Sequence, residues 1–344
     1  MSKIKIEEAS TEVLNEWNKF IDTSPQGTLY HHREWLKAIE NHSKTRMVSF
    51  AAYKGEKLIC LFPVFIKKLL NISIFFSPPP GCAVPYLGPV FLIKDMKPRD
   101  IESIYTNLVD MFDSTLREYG ADIIQLSVSP ELRDIRPFVW NNYISRPQYE
   151  YTVMLDQDIF STFHNETRTK IRRAKKYQDL HIKNSNVDYS KYIVELTRNR
   201  YREQGINWSV NNNYVQDIMQ GFNKDYFSSF CAEYGSEIIT GMITYKYKNA
   251  CYDWIGGINP AAKLSGVNEL LHWSIASKAK EEGLHWYNLG GANTPHLSKS
   301  KSKYSPQLIT YYDIYKTNLK GSIVYNISQN KWIKIFYKKI LLRG

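Results

Sequence analysis

The chain is poor in the residues that build metal centres, disulfide scaffolds and covalent catalysts. Its four cysteines, Cys60, Cys82, Cys231 and Cys251, stand far apart, with no C-x-x-C spacing and no histidine placed to complete a zinc site. That scatter supplies no disulfide framework and fits a reducing compartment. His31 and His32 form the one adjacent histidine pair, and neither H-x-x-x-H nor H-E-x-x-H occurs, so no metal is expected. A G-x-S-x-G elbow and a Walker-type G-K-[ST] are missing too, which removes serine hydrolases and P-loop enzymes from consideration. Long apolar runs are absent. The stretch LICLFPVFI is too short to cross a bilayer, and the opening MSKIKIEEASTEVLNEW has no apolar h-region, so a cytoplasmic protein is expected.

A length of 344 residues exceeds what one core organises and predicts two domains of roughly 150 residues each. Hydrophobic residues at 43% and aromatics at 14% are enough to fill both cores. The formal net charge of +11 favours an anionic partner: a nucleotide, a phosphorylated lipid headgroup or RNA. A generally lysine-rich composition explains the same excess without any partner.

The sequence repeats. FAAYKGEKLICLFPVFIKK from Phe50 aligns without a gap on FCAEYGSEIITGMITYKYK from Phe230, matching Phe50 with Phe230, Ala52 with Ala232, Gly55 with Gly235 and Ile59 with Ile239. Each copy alternates apolar residues into a glycine turn and out again, the pattern of a half-buried β-hairpin. Downstream, IESIYTNLVDMFDSTLREYG precedes ADIIQLSV, and NELLHWSIASKAKEEG precedes LHWYNLGG. In both cases a helix ends at a glycine, Gly120 or Gly283, and a buried strand follows. A unit of hairpin, connection, helix and strand thus occurs twice. The boundary is expected near Asp156, giving domains at 1–156 and 157–325 and a basic tail at 326–344. Within the first domain the prolines of SPPPGCAVPYLGPVF mark an inserted loop.

Domain two resembles the GNAT acyltransferases, and the pair of domains resembles the FemABX family, which attaches acyl or aminoacyl groups to amines of cell-envelope precursors. ETRTKIRRAKK is similar to that family's basic helix; YDWIGGINP, GVNELLHWSIASKAKEEG and LHWYNLGGAN are similar to its strand, helix and strand. GTLYHHREWLKAI, with Trp35, resembles its N-terminal turn and helix, and HLSKSKSKYSPQLITYYDIYK its basic and aromatic stretch before a final strand. The resemblance implies an α/β fold with mixed sheets, arranged as two tandem GNAT-like domains. It also implies acyl-CoA or aminoacyl-tRNA as co-substrate, a small-molecule or lipid-linked amine as acceptor, and no permanently bound cofactor. The long helical hairpin some members use for tRNA has no counterpart here, since no sustained heptads occur.

Acyl transfer to an amine needs positioning, an oxyanion stabiliser and a proton acceptor. Ser265 and Gly266, followed by Asn268, lie where a helix start can hold phosphate, although an ordinary N-cap gives the same pattern. Arg168, Arg172 and Arg173 belong to a basic run suited to donor phosphates or to a solvated face. Asp253, flanked by aromatics in CYDWIGG, is the candidate base, or else a polar residue on the strand's solvent face, with Tyr252 and Tyr304 as candidate proton relays or oxyanion donors. Gly290 and Gly291, just past the last repeated strand, allow a donor to approach the backbone, and Asn293 is placed to meet substrate. Arg33, Trp35 and Lys37 are candidates for an acceptor cleft. NKWIKIFYKKILLRG, in the tail, alternates basic and apolar residues and either packs on a domain or lies on an anionic membrane. Two readings compete with the enzyme: an RNA-binding module and a non-catalytic interaction protein on the same duplicated scaffold.

Overall fold

A computed structural model describes residues 3–323 apart from 70, 94–95, 186–188, 260–261 and 263. The C-terminal stretch expected to pack or to meet a membrane lies outside the described residues. In chain order the elements are β1 (Ile4–Glu8), α1 (Thr11–Thr23), α2 (Arg33–Ser43), β2 (Arg46–Lys54), β3 (Lys57–Leu69), β4 (Ile72–Ser77), β5 (Val90–Phe91), α3 (Pro98–Glu118), β6 (Ile123–Val128) and α4 (Arg136–Trp140). They continue with β7 (Ile144–Met154), α5 (Ile159–Thr162), α6 (Asn165–Ala174), β8 (Leu180–Ser185), α7 (Ser190–Glu203), α8 (Asn212–Gly221), β9 (Phe227–Tyr234), β10 (Glu237–Tyr247), β11 (Ala250–Ile258), α9 (Val267–Glu281), β12 (Trp286–Gly291), α10 (Pro295–Ser302) and β13 (Gln307–Thr317). Among the described residues no helix is long and apolar enough to cross a membrane.

The chain divides into two compact units, Met1–Pro147 joined by the chain from Tyr311 onward, and Gln148–Thr310. The boundary expected near Asp156 therefore falls inside the second unit, and the stretch from Tyr311 to Thr317 of β13, expected in the second domain, belongs to the first; the expected end at 325 lies outside the described residues. Long-range pairing is the reason. Thr152 and Val153 of β7 pair with Asn288 and Tyr287 of β12, whereas Tyr312–Thr317 of β13 pairs antiparallel with β6.

In the first unit the sheet runs β1-β2-β3-β4-β6-β13. The hairpin β2–β3 turns through Gly55, and β3 is buried almost continuously, as an apolar run with few polar interruptions must be. Helix α3 begins with Pro98 in its first turn and covers one face, setting Leu108, Phe112 and Leu116 against Phe50, Phe62, Ile124 and Leu126. Each side chain so buried contributes roughly 1.5–3 kcal/mol. β13 is held here by polar clasps as well as by its ladder. Lys316 Nζ donates to both oxygens of the wholly buried Asp113 at 2.8 Å, and Ser127 Oγ donates to Asp313 Oδ1 at 2.6 Å.

In the second unit the order is β7-β12-β11-β10-β9-β8. α9 is buried against the sheet through Leu271, Ile275 and Ala276 and against α6 through Ile171 and Ala174, so its sequence is apolar on more than one face. The duplicated unit is repeated down to its helix ends. Gly120 (φ 86°) and Gly283 (φ 79°) both stand in the left-handed region just past α3 and α9. The following amides, of Ala121 and Leu284, reach back five residues to the carbonyls of Leu116 and Ala279, each at 3.0 Å.

Candidate active site

The parallel pair β11–β12 stays together for three residue pairs, Ala250–Trp286, Cys251–Tyr287 and Tyr252–Asn288, and then parts. Each strand carries one surplus residue at the parting. On β11, Asp253 pairs with Thr244 and Ile255 with Ile243, which leaves Trp254 as the extra residue; on β12, Asn288 pairs with Thr152 and Gly290 with Tyr151, which leaves Leu289. Such bulges bend their strands and release backbone groups from the ladder. Gly290 follows with φ 72°, its amide taken by Asn288 Oδ1 at 2.6 Å. The first unit has the matching fork after Ser77 of β4 and Leu126 of β6, but there the chain fills it. Leu87 from the proline-rich loop bridges to Val128, donating to Ser127 O at 2.8 Å and accepting from Ser129 N at 3.2 Å. Gly88 N adds a bond to Ser77 Oγ at 3.0 Å.

Asp253 is the first residue past the paired stretch of β11, and its side chain, 6% exposed, faces α9. Tyr287 donates its hydroxyl to Asp253 Oδ1 at 2.8 Å, and the same hydroxyl lies 2.7 Å from His272 Nδ1. Burial pushes the Asp253 carboxyl up to about 7, against the Tyr287 bond and the Lys301 charge, which both pull it down. Burial drives His272 the other way, down to about 3, helped by the charges of Lys301 and Lys303. The 3.4 Å approach of His272 Nδ1 to Asp253 Oδ2 is therefore a neutral imidazole beside a carboxyl, not an ion pair. Asp253 Oδ2 and the Tyr304 hydroxyl are both buried without a hydrogen-bond partner among the described residues. Tyr304 lies edge-tilted on the His272 ring, centroids 5.2 Å apart.

A cation stands on the other arm of the fork. Lys301, near the end of α10, donates from Nζ to Gly291 O at 2.8 Å, and burial lowers its pKa while Asp253 and Glu150 oppose that shift. Glu150, buried, pairs with Gly291 across the β7–β12 ladder. The first turn of α9 is occupied by the chain's own groups. Glu269 accepts from Lys303 Nζ at 2.7 Å, with Lys170 Nζ at 3.9 Å. Among the described residues no cluster of three histidine, cysteine or acidic side chains is placed to hold a metal ion.

These positions sort the sequence-derived candidates. Asp253, Tyr304, Gly290 and Gly291 come together at the fork. Tyr252 does not, because strand alternation turns it to the opposite face, where it stacks on Tyr245 at 4.8 Å. The cap of α9 is Gly266 (φ 87°) with no side-chain bond, so Ser265 is not the cap. Asn268 Oδ1 accepts from the Thr240 hydroxyl at 3.2 Å. On α6, Arg168 has a buried Nε without a hydrogen-bond partner, Arg172 covers Phe160 at 5.3 Å, and Arg173 is exposed. Asn293 Oδ1 accepts from Tyr149 N at 2.7 Å and anchors the loop after β12. Trp35 is core, edge-on to Tyr30, while Arg33 and Lys37 line a surface groove of about 680 Å³ in the first unit with Asn18, Glu34 and Glu40. Tyr287, His272, Lys301 and Glu150 were not singled out from the sequence, and Glu269 was read only as a residue of the first turn of α9.

The candidate site thus lies where the parallel strands β11 and β12, joined through α9, fork beside a buried acid. Residues 161–297, which lie within the second unit, match the family model described as an acetyltransferase (GNAT) domain. The whole chain has a FemABX-like tandem GNAT fold. It superposes on the crystal structure of FemX with TM-score 0.68 at 11% identity, covering 94% of this chain and 99% of that one. The C-terminal domain of a putative lysylphosphatidylglycerol synthetase from Agrobacterium fabrum gives 0.57 at 12% identity, with 93% and 98% covered. A tandem GNAT protein from the clavulanic acid biosynthesis pathway gives 0.56 at 7% identity, with 91% and 98% covered. No curated protein sequence matches the chain.

Proposed function

We propose that this protein is an N-acyltransferase that moves an acyl or aminoacyl group onto a primary amine of a cell-envelope, sugar-nucleotide or peptide precursor, with the second unit as its catalytic unit. The observation that carries the reading is Asp253: a carboxyl at the strand fork, pushed up to about 7 by burial, with one oxygen held by Tyr287 and the other buried without a hydrogen-bond partner. A base of about that pKa is matched to taking a proton from an amine near pH 7. The amine enters as R–NH3+ and gives its first proton to Asp253. The neutral nitrogen then attacks the acyl carbonyl, a C–N bond forms, and the C–O or C–S bond to the carrier breaks. Nitrogen's second proton goes to the departing hydroxyl or thiol, and Asp253 later releases the first to water. Lys301, beside Gly291 at the fork, supplies the positive charge that the developing oxyanion needs.

The donor reading favours aminoacyl-tRNA over acyl-CoA. A CoA pyrophosphate would need donors at the start of α9, where Glu269 contributes an anion and the Lys170 carbonyl covers Gly266. An aminoacyl ester makes no such demand, and the exposed Arg173 and Lys176 suit an RNA backbone. An envelope acceptor, small or lipid-linked, is supported by the fold shared with FemX and with lysylphosphatidylglycerol synthetase domains. The test is mass spectrometry of reactions pairing aminoacyl-tRNA or acyl-CoA with a panel of amine acceptors. A donor-dependent mass gain that disappears in Asp253→Asn supports the reading, and an undiminished gain in that variant removes it.

A further inference from the structure

The following rests on Asp253 as the proton acceptor and concerns which of its oxygens works and what holds the incoming nitrogen. We propose that the acceptor ammonium is received between Asp253 Oδ2 and the Tyr304 hydroxyl, and that Tyr287 and His272 are positioning residues that fix the carboxylate from behind.

A donor and acceptor count leads there. Tyr287 has one hydroxyl hydrogen, and it goes to Asp253 Oδ1 at 2.8 Å. The 2.7 Å contact from His272 Nδ1 must then be a donation to the Tyr287 oxygen, which sets the neutral ring in its Nδ1–H form. Oδ1 is thereby occupied and the carboxylate plane fixed, which leaves Oδ2, buried and without a hydrogen-bond partner, as the oxygen not yet engaged. Oδ2 and the Tyr304 hydroxyl are the two buried polar atoms here without a hydrogen-bond partner, and both flank the His272 ring, Oδ2 at 3.4 Å from Nδ1 and the Tyr304 ring at 5.2 Å between centroids. Buried polar atoms left unpaired are costly and rare, so two against one ring mark a place built for something not made of protein. A primary ammonium carries three hydrogens: one for Oδ2, one for the Tyr304 oxygen, and one that stays on nitrogen while the lone pair forms.

The charged and titratable groups around Asp253 agree with that occupant. From α9 come the neutral His272 and Glu269, the latter engaged by Lys303 at 2.7 Å. From β12 comes Tyr287, from β11 the buried Cys251, and from β7 the buried Glu150. Lys301 of α10 is the nearby cation, and its ammonium is turned to Gly291 O. The side of Oδ2 is thus left to a cation brought by the substrate.

The experiment follows the carboxyl itself, in the full chain labelled with 13Cγ-aspartate, with Asp253→Asn identifying its resonance. Wild type should titrate near neutrality. Tyr287→Phe should raise the midpoint by about one pH unit, through loss of a hydrogen bond to the charged form. His272→Leu, which removes the donor that orients Tyr287, should move it the same way by less and serves as the second variant should Tyr287→Phe fail to fold. Saturating n-butylammonium, the probe for the acceptor, should lower the wild-type midpoint; n-butanol should not, and Tyr304→Phe should diminish the amine's effect. A midpoint indifferent to butylammonium, or equally moved by butanol, overturns the ammonium site. A midpoint unchanged in both Tyr287→Phe and His272→Leu overturns the positioning role. If no Asp253 resonance titrates near neutrality, the reading of Asp253 as base fails instead, which separates the two failures.

Discussion

Gly266 lies under the backbone carbonyl of Lys170, so close that a Cβ placed on it would fall 2.2 Å from that oxygen. The glycine that opens α9 thus serves the seating of α6, whose Thr167, Ile171 and Ala174 are buried. Gly266→Ala should destabilise the protein by about 2–4 kcal/mol, combining strain at positive φ with displacement of a packed helix. Gly120→Ala is the matched control, at φ 86° with nothing within 4 Å of the added methyl, and should cost only about 1–2 kcal/mol. Urea denaturation of both variants decides, and equal losses would show that helix packing is not what requires Gly266.

Stability should depend on pH through two buried groups of opposite sign. Asp253 titrates at about 7 in the fold and at about 3.9 when unfolded. Between those values the folded state holds a proton that the unfolded state does not, so stability falls as pH rises through that window and stays reduced above it. His272 titrates at about 3 in the fold and at about 6.5 unfolded, so its contribution falls as pH drops from the upper value to the lower. The slopes oppose each other in the window they share. Asp253→Asn removes one of them. The variant should be the more stable protein at pH ~8, by up to about 4 kcal/mol, and equal to wild type near pH ~4. Calorimetric melts across the range test this, and a variant less stable than wild type at the alkaline end contradicts it.

Lys301 should matter to rate more than to binding. Removing one oxyanion donor lowers kcat by about 10²–10³-fold, so Lys301→Met should fall by that order with KM little changed. Lys301→Arg should recover part of the rate. Initial-rate kinetics on both variants check it; a loss confined to KM would make Lys301 a binding residue.

The filled fork of the first unit bears on stoichiometry. With Leu87 bridged to Val128 and Gly88 tied to Ser77, that unit offers no gap between its parallel strands. Titration calorimetry with a non-hydrolysable donor analogue should give one site per chain, abolished by changes at the β11–β12 fork and indifferent to Leu87→Ala. Two equivalent sites would overturn the assignment of the second unit as the catalytic one.

The duplication was legible in the sequence because what repeats is local. Alternation through a glycine turn and a helix ended at Gly120 or Gly283 are written within a few residues. The division between units was not, because β7 is claimed by β12 and β13 by β6, pairings made across more than a hundred residues that leave no periodic trace. Asp253 stood out as an acid between aromatics. Its partners did not, since Tyr287 lies 34 residues on in another strand and His272 sits inside an apolar helix, where a histidine reads as core. Gly266 was visible as a special position, but the reason for it, a carbonyl from another helix, belongs to tertiary structure.

The clasp of Lys316 on Asp113 has a consequence for biosynthesis. The first unit's sheet receives its last strand only after the ribosome has made the whole of the second unit. The nascent first unit must therefore wait with the β6 edge unpaired and the carboxylate of Asp113 without its lysine, while the second unit can complete itself as soon as Thr310 emerges. A gene cut at the apparent boundary would yield a first half that never receives the strand it needs, and the second unit is the one to be expressed alone.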